Sequence, residues 1–376
     1  MALDAVANTK KSSRSTKIII TASGQTEEFT VTQAGTTRDI LSPEDIPNYD
    51  KFFNNSEHGG EKMLLPDSEF SFYRYKESEH FFVFWSKYFG EDPNGADVAE
   101  DDRVDVDDLL QKAEQFFDTN INKLGMAVLG QGKSTLDQYK MQIYLLDPTP
   151  EWWVATGSGY DNVIGALWVT PATCHPVGST IAHEIGHSFQ YQVYCDKILQ
   201  GASDDLHHGY RYGFGNNGEG GCGYWEQCAQ WQAHRDYPDE QFTSYNYDVW
   251  VRNAHRHFHH EWMRYASYWL QSYWTEKQGI EAYGRIWRES EFPEDAIETY
   301  TRLYNGGNWQ ATREDLYDYA ARMATYDMDN LPDIKERYIG TYKTTLLKNA
   351  EGYYQPALLS CPGATGFNVI ELKVPE

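Results

Sequence analysis

No stretch of this chain approaches the roughly 20 consecutive apolar residues that a membrane-spanning helix needs, so a helical membrane protein is excluded. Positive charge is scarce: 32 Lys and Arg stand against 56 Asp and Glu, a formal charge of -24. A surface of that sign repels phosphate backbones and anionic bilayers, which removes nucleic acid as a partner. Cysteine is limited to Cys174, Cys195, Cys222, Cys228 and Cys361. They lack the paired C-x-x-C spacing of a zinc ribbon and form either one or two disulfides or plain buried thiols, with a connectivity that sequence does not reveal. The start, Met1-Ala2-Leu3-Asp4, has no positive segment followed by an apolar run, so no secretory signal is read there. Internal repeats are absent too.

What is plentiful is aromatic: 28 Tyr, 17 Phe and 12 Trp among 376 residues. Large cores use such residues first and sugar-facing clefts second. With 40% hydrophobic and 23% charged residues, the chain is globular and long enough for more than one domain. Lys17–Thr21, the Ser23-Gly24 turn and the alternating Glu28–Thr32 predict a β-hairpin. Strands follow at Phe81–Trp85, Met141–Leu146 and Ala166–Thr170, with a helix over Val106–Leu124 between them; the acidic run Glu91–Asp108 lacks the glycine and terminal glutamate of a calcium loop and reads as solvated. Beyond Ser179 the pattern turns helical, with helices at Trp262–Trp274, Ile280–Glu289 and Leu316–Met328, the last opened by a capping-box-like Thr312 and Asp315. From Leu331 onward the pattern is β-rich. The order predicts an α+β fold, with residues 1–36, 37–330 and 331–376 as three units, the last the start of a further domain.

The chemistry concentrates in His183-Glu184-Ile185-Gly186-His187. On a helix, residues i and i+4 share a face, so two imidazoles aim at one metal while Glu184 reaches a water beside it. Ile181, Ile185, Phe189 and Val193 run on roughly the opposite face, and Ser179 is the expected N-cap of a helix reaching Tyr194. A catalytic zinc site has three protein ligands. The metzincin extension needs Gly at 190 and His at 193, where this chain has Gln190 and Val193. Within a second helix opening at Gly223, Glu226 with Ala229 resembles the ExxA/ExxD signature of gluzincin peptidases. Their fold places a glutamate ligand on the helix after HExxH. His207 and His208, in the loop between the helices, are alternative third ligands.

His187-Ser188-Phe189-Gln190 is also similar to the enhancin-like, mucin-degrading peptidases. The gluzincin resemblance implies a zincin-like domain, a Zn2+ cofactor held by His183, His187 and Glu226, and Glu184 as general base. It further implies an edge strand carrying Ala166 and Trp168 that pairs with extended substrate. The carboxylate that orients a zinc histidine in such sites is missing at Ala229 and Gln230. At the N-terminus, Asn8, Arg14, Ile18–Ile20 and Phe29–Gly35 resemble the closing strands of a BACON module, common in secreted Bacteroidetes proteins that handle glycans. Together these imply a zinc-dependent endopeptidase that is secreted, periplasmic or on the cell surface and acts on proteins or glycoproteins. The alternative is a non-catalytic glycan-binding surface protein. Among other ionisable groups, His255, His257, His259 and His260 form either a second metal site or a solvated run, and Tyr317 or Tyr319 is a candidate oxyanion donor.

Overall fold

A computed structural model of the chain describes residues 13–22, 24–35, 40–149, 155–203, 223–291 and 293–372. β1 (Arg14–Ala22) and β2 (Gln25–Gln33) form the expected antiparallel hairpin, with Ile18 opposite Phe29. Ile19, Phe29 and Val31 stay exposed on it.

β3 (Tyr75–Glu77) and β4 (Phe81–Trp85) lead into helix α1 (Val106–Asp118), and β5 (Met141–Leu145), β6 (Ala155–Tyr160) and β7 (Ile164–Val169) complete a five-stranded sheet of order β3-β4-β5-β7-β6. β4, β5 and β7 run parallel, and the outer strands β3 and β6 are antiparallel to their neighbours. Every residue of β4 and β5 is buried, as parallel strands covered on both faces must be. The period-2 alternation divides the aromatics: Phe84 packs on Phe52 and Phe72 at 5.5 and 5.1 Å, while Phe81 meets Phe117 of α1 at 5.8 Å on the other side. Much of the aromatic surplus is therefore core.

α1 is shorter than its periodicity implies. It ends at Asp118 and passes into a π-helical turn, Thr119–Lys123, in which the Leu124 amide reaches the Thr119 carbonyl at 3.0 Å. The apolar spacing tolerates one extra residue per turn, and the turn carries the buried Asn120 inward, its Nδ2 donating to the Phe116 carbonyl at 2.9 Å.

α2 (Ser179–Leu199) lies between the sheet and α3 (Gly223–Ala233), and it runs five residues past the expected end. Gly178, rather than Ser179, is its N-cap. The helix is buried nearly all round. The hydroxyl of Ser188 donates to the Ala166 carbonyl at 2.8 Å, and Phe189 meets Phe117 at 5.4 Å.

The second half is helical: α4 (Glu240–Thr243), α5 (Tyr245–Asn253), α6 (Trp269–Gln278), α7 (Ala282–Glu289), α8 (Ala296–Asn305) and α9 (Trp309–Met323). Trp262 falls in a separate short turn, Glu261–Met263, ahead of α6. Thr312 and Asp315 do not start a helix. The α9 cap is Asn308, whose side chain accepts from the amides of Gln310 and Ala311, because α8 has already ended at Gly306 and the chain restarts at once. Asp315 is instead buried, bound by Lys277, Tyr300 and Asn305. The capping box belongs to Asp295 and Glu298.

Among the described residues the C-terminal segment holds two short strands, β8 (Leu346–Lys348) and β9 (Tyr354–Pro356). It docks on the helices: the Phe367 amide donates to the Ala254 carbonyl at 2.9 Å, and its ring packs against Trp250 and Tyr319. Cys174, Cys195, Cys228 and Cys361 are free thiols; Cys222 lies outside the described residues. The architecture is α+β.

Candidate metal centre

α2 and α3 together bring three side chains to one point. His183 Nε2 and His187 Nε2 lie 3.0 Å apart, and each is 3.1 Å from Oε2 of Glu226. Two imidazoles one helical turn apart and a carboxylate from the next helix are the donor set that suits zinc. The edges of the triangle are close to the roughly 3.3 Å that separates ligands around a tetrahedral zinc with bonds near 2 Å. Both histidines are buried, at 7% exposure, while Glu226 is half-buried at the open side. Among the described residues these three form the one group of His, Cys, Asp and Glu side chains placed closely enough to hold a metal ion.

Electrostatics agree with the geometry. Burial would make the Glu226 carboxyl a weaker acid, but hydrogen bonds from both histidines and their charge outweigh it and hold the carboxyl ionised far below the usual range. Burial likewise opposes protonation of His187, yet the hydrogen bond and charge of Glu226 push its imidazole upward. A divalent cation between the three side chains would balance that carboxylate.

Glu184 sits on the sheet side of the same helix. Its Oε2 accepts from the backbone N–H of Gly157 at 2.6 Å. Gly157 has no alternative residue: a Cβ there would stand 1.8 Å from the Glu184 carbonyl oxygen and 2.8 Å from His187 Cβ. Ala166 and Trp168 do not occupy the edge expected of them. They lie on β7, which is paired on both sides by β5 and β6, and the edge on that side of the sheet is β6. The alternation of β7 reads the same whether the strand is central or outermost, whereas the glycines of β6, the signal for close helix approach, fall at 157 and 159.

The partner that sequence reasoning missed for Glu226 is Tyr265, whose hydroxyl donates to Oε1 at 3.0 Å. Burial, and then the charge of Glu226, raise its ionisation beyond the physiological range, so the phenol remains a donor. The missing orienting carboxylate is replaced by an amide: His187 Nδ1 lies 2.9 Å from Gln190 Oε1. Gly186, between the two histidines, faces α3, where a Cβ would come within 3.1 Å of Gln232 Oε1 and 3.3 Å of the Ala229 Cα.

Tyr317 is 79% exposed on α9 and Tyr319 is buried against Tyr273 and Phe367, so neither belongs to this cluster. The 255–260 histidines are not a solvated run. Their backbone anchors the C-terminal segment through the Gly363 amide on the His255 carbonyl, and buried His259 is pushed down to about 4 by burial. His207 and His208 lie outside the described residues. Beside Tyr265 opens a groove of about 420 Å3, lined also by Tyr245, Asp248, Arg252 and Trp262.

The profile of the family of unknown function DUF6055 matches residues 36–376. The chain belongs to that family, whose span takes in the sheet, the helical half and the C-terminal segment as one. No curated protein and no solved structure matches the chain.

Proposed function

We propose that this DUF6055 member is a zinc-dependent endopeptidase with a zincin-like catalytic domain, acting on extracellular proteins or glycoproteins. The observation that carries the proposal is the meeting of His183 Nε2, His187 Nε2 and Glu226 Oε2 within 3.1 Å, on two separate helices. Zinc held by these residues supplies Lewis acidity to a carbonyl oxygen and to a water molecule. Glu184, anchored through Oε2 on Gly157, keeps its other oxygen to take the water's proton and pass it to the leaving amine. Tyr265 holds Glu226 from the far side. The edge strand β6 offers main-chain pairing to an extended peptide directly beside Glu184.

A second function has one observation behind it. Tyr245 and Trp262 are 80% and 65% exposed in the groove beside Tyr265, next to Asp248 and Arg252, a surface suited to stacking on sugar rings. That favours a glycan-binding surface protein on a peptidase-like scaffold. Elemental analysis beside digestion of casein and mucin, with and without chelator, separates the two. The peptidase assignment requires about one zinc per chain and cleavage that chelator abolishes; oligosaccharide binding with neither metal nor cleavage supports the alternative.

A further inference from the structure

Behind His187 runs an unbroken chain of buried amides. Gln190 Oε1 faces His187 Nδ1, and Gln190 Nε2 donates to the Trp225 carbonyl at 3.0 Å and to Gln232 Oε1 at 3.1 Å. Gln232 Oε1 also accepts from the Tyr283 hydroxyl at 2.9 Å, and Gln232 Nε2 donates to Asn120 Oδ1. Asn120 Nδ2 ends the series on the Phe116 carbonyl, within the helix that leads into the π-turn. Gln190, Gln232 and Asn120 are each 2% exposed or less.

A primary amide can in principle face either way, but a backbone carbonyl only accepts. The Phe116 carbonyl therefore turns the Asn120 nitrogen toward itself and its oxygen toward Gln232. The Trp225 carbonyl favours the same sense for Gln190, taking one of its two Nε2 hydrogens while Gln232 Oε1 holds the other. Reversing either amide would oppose oxygen to oxygen in a buried site and leave acceptors unpaired, at roughly 1–3 kcal/mol for each. Gln190 can thus present only an acceptor to His187. Nδ1 must carry a hydrogen.

We propose that Gln190, Gln232 and Asn120 are positioning residues that hold His187 as its Nδ1–H tautomer, leaving the Nε2 lone pair aimed between His183 and Glu226. The inference rests on the metal-site assignment for its purpose, and on hydrogen-bond direction for its substance. His183 Nδ1 has no hydrogen bond among the described residues, so the device serves one histidine of the pair. The relay is neutral, which leaves one negative charge fewer around the cation than an orienting carboxylate would.

The test is the tautomer of His187 in the metal-free full chain, read from long-range 1H–15N correlations at a pH where the imidazole is neutral. Wild type should show Nδ1–H. Gln232→Met and Asn120→Leu, which break the relay without touching the metal position, should each give a mixture of tautomers. They should also weaken zinc affinity by about 10- to 100-fold in competition with a chromophoric chelator, the range found for lost outer-shell partners. Thermal unfolding reports whether each variant folds, and either one suffices. An Nε2–H tautomer in the wild type, or a folded variant that keeps both tautomer and affinity, overturns the relay. A wild type with the Nδ1–H tautomer, variants that lose it and no zinc uptake by any of them would uphold the relay and remove the zinc assignment, so the two failures are distinguishable.

Discussion

The backbone N–H of Gly157 donates to Oε2 of Glu184 at 2.6 Å, joining the edge strand of the sheet to the proposed general base. An anionic acceptor strengthens such a bond and fixes the carboxylate's plane. It also means that the strand able to receive a peptide and the group able to deprotonate a water share one rigid contact.

Glu184→Gln should therefore preserve fold and metal, since the amide oxygen can still accept from Gly157 while no longer taking a proton. Turnover should fall by about 10²- to 10⁴-fold, the usual contribution of a general base. Metal content, thermal unfolding and casein hydrolysis check it together, and near-normal hydrolysis would move the base elsewhere.

Gly157→Ala tests the packing beneath that contact. The added methyl would meet the Glu184 carbonyl at 1.8 Å, and backbone cannot swing aside as a side-chain tip can. A loss of about 1–3 kcal/mol, the range for overpacked sites, or more, is expected in urea unfolding, with metal affinity falling as α2 is displaced. An unchanged midpoint would mean that strand and helix are farther apart than described.

Tyr265→Phe removes one hydrogen bond to the charged carboxylate of Glu226, the proposed metal ligand, and leaves the ring contacts in place. Bonds of that kind contribute roughly 1.5–3 kcal/mol, so zinc affinity should drop about tenfold or more while unfolding stays close to wild type. Chelator competition is the measurement. An unaltered affinity would assign Tyr265 to the groove alone.

The two histidines and Glu184 were legible because helical spacing alone places them, and Glu226 because the resemblance named a carboxylate on the following helix. The sheet position of Ala166 and Trp168 was not, since a strand's neighbours are long-range partners that local alternation does not encode. Asn120 and Gln232 were illegible for a related reason. They stand 112 residues apart and acquire a role only when a π-turn and a helix meet. A signal that could have pointed to Gln232 is Gly186, a small residue between the two histidines where a neighbouring helix comes close. Thr312 was misread because capping residues look the same inside a helix once a stronger cap, here Asn308, lies one turn earlier.

His234 gives the last prediction, one of pH dependence. It is fully buried on α3's C-terminal side, packed edge-on against Tyr268 at 4.6 Å, with neither ring nitrogen hydrogen-bonded among the described residues. Burial first, and then the charge of Arg235, keep the imidazole neutral far below its ordinary titration. In the unfolded chain the same residue takes up a proton below about pH 6.5. Below that point the unfolded state binds one more proton than the folded state, so stability falls as pH falls, by up to about 1.4 kcal/mol per unit; above it His234 contributes no slope. His234→Phe should remove this dependence. Urea unfolding of both proteins in the same metal state at pH 7.5 and pH 5.5 reads the difference between them, in which carboxylate titrations common to both cancel. The advantage of the variant should be larger at pH 5.5 by roughly 1 kcal/mol. An equal difference at the two values would show that His234 accepts its proton inside the folded protein.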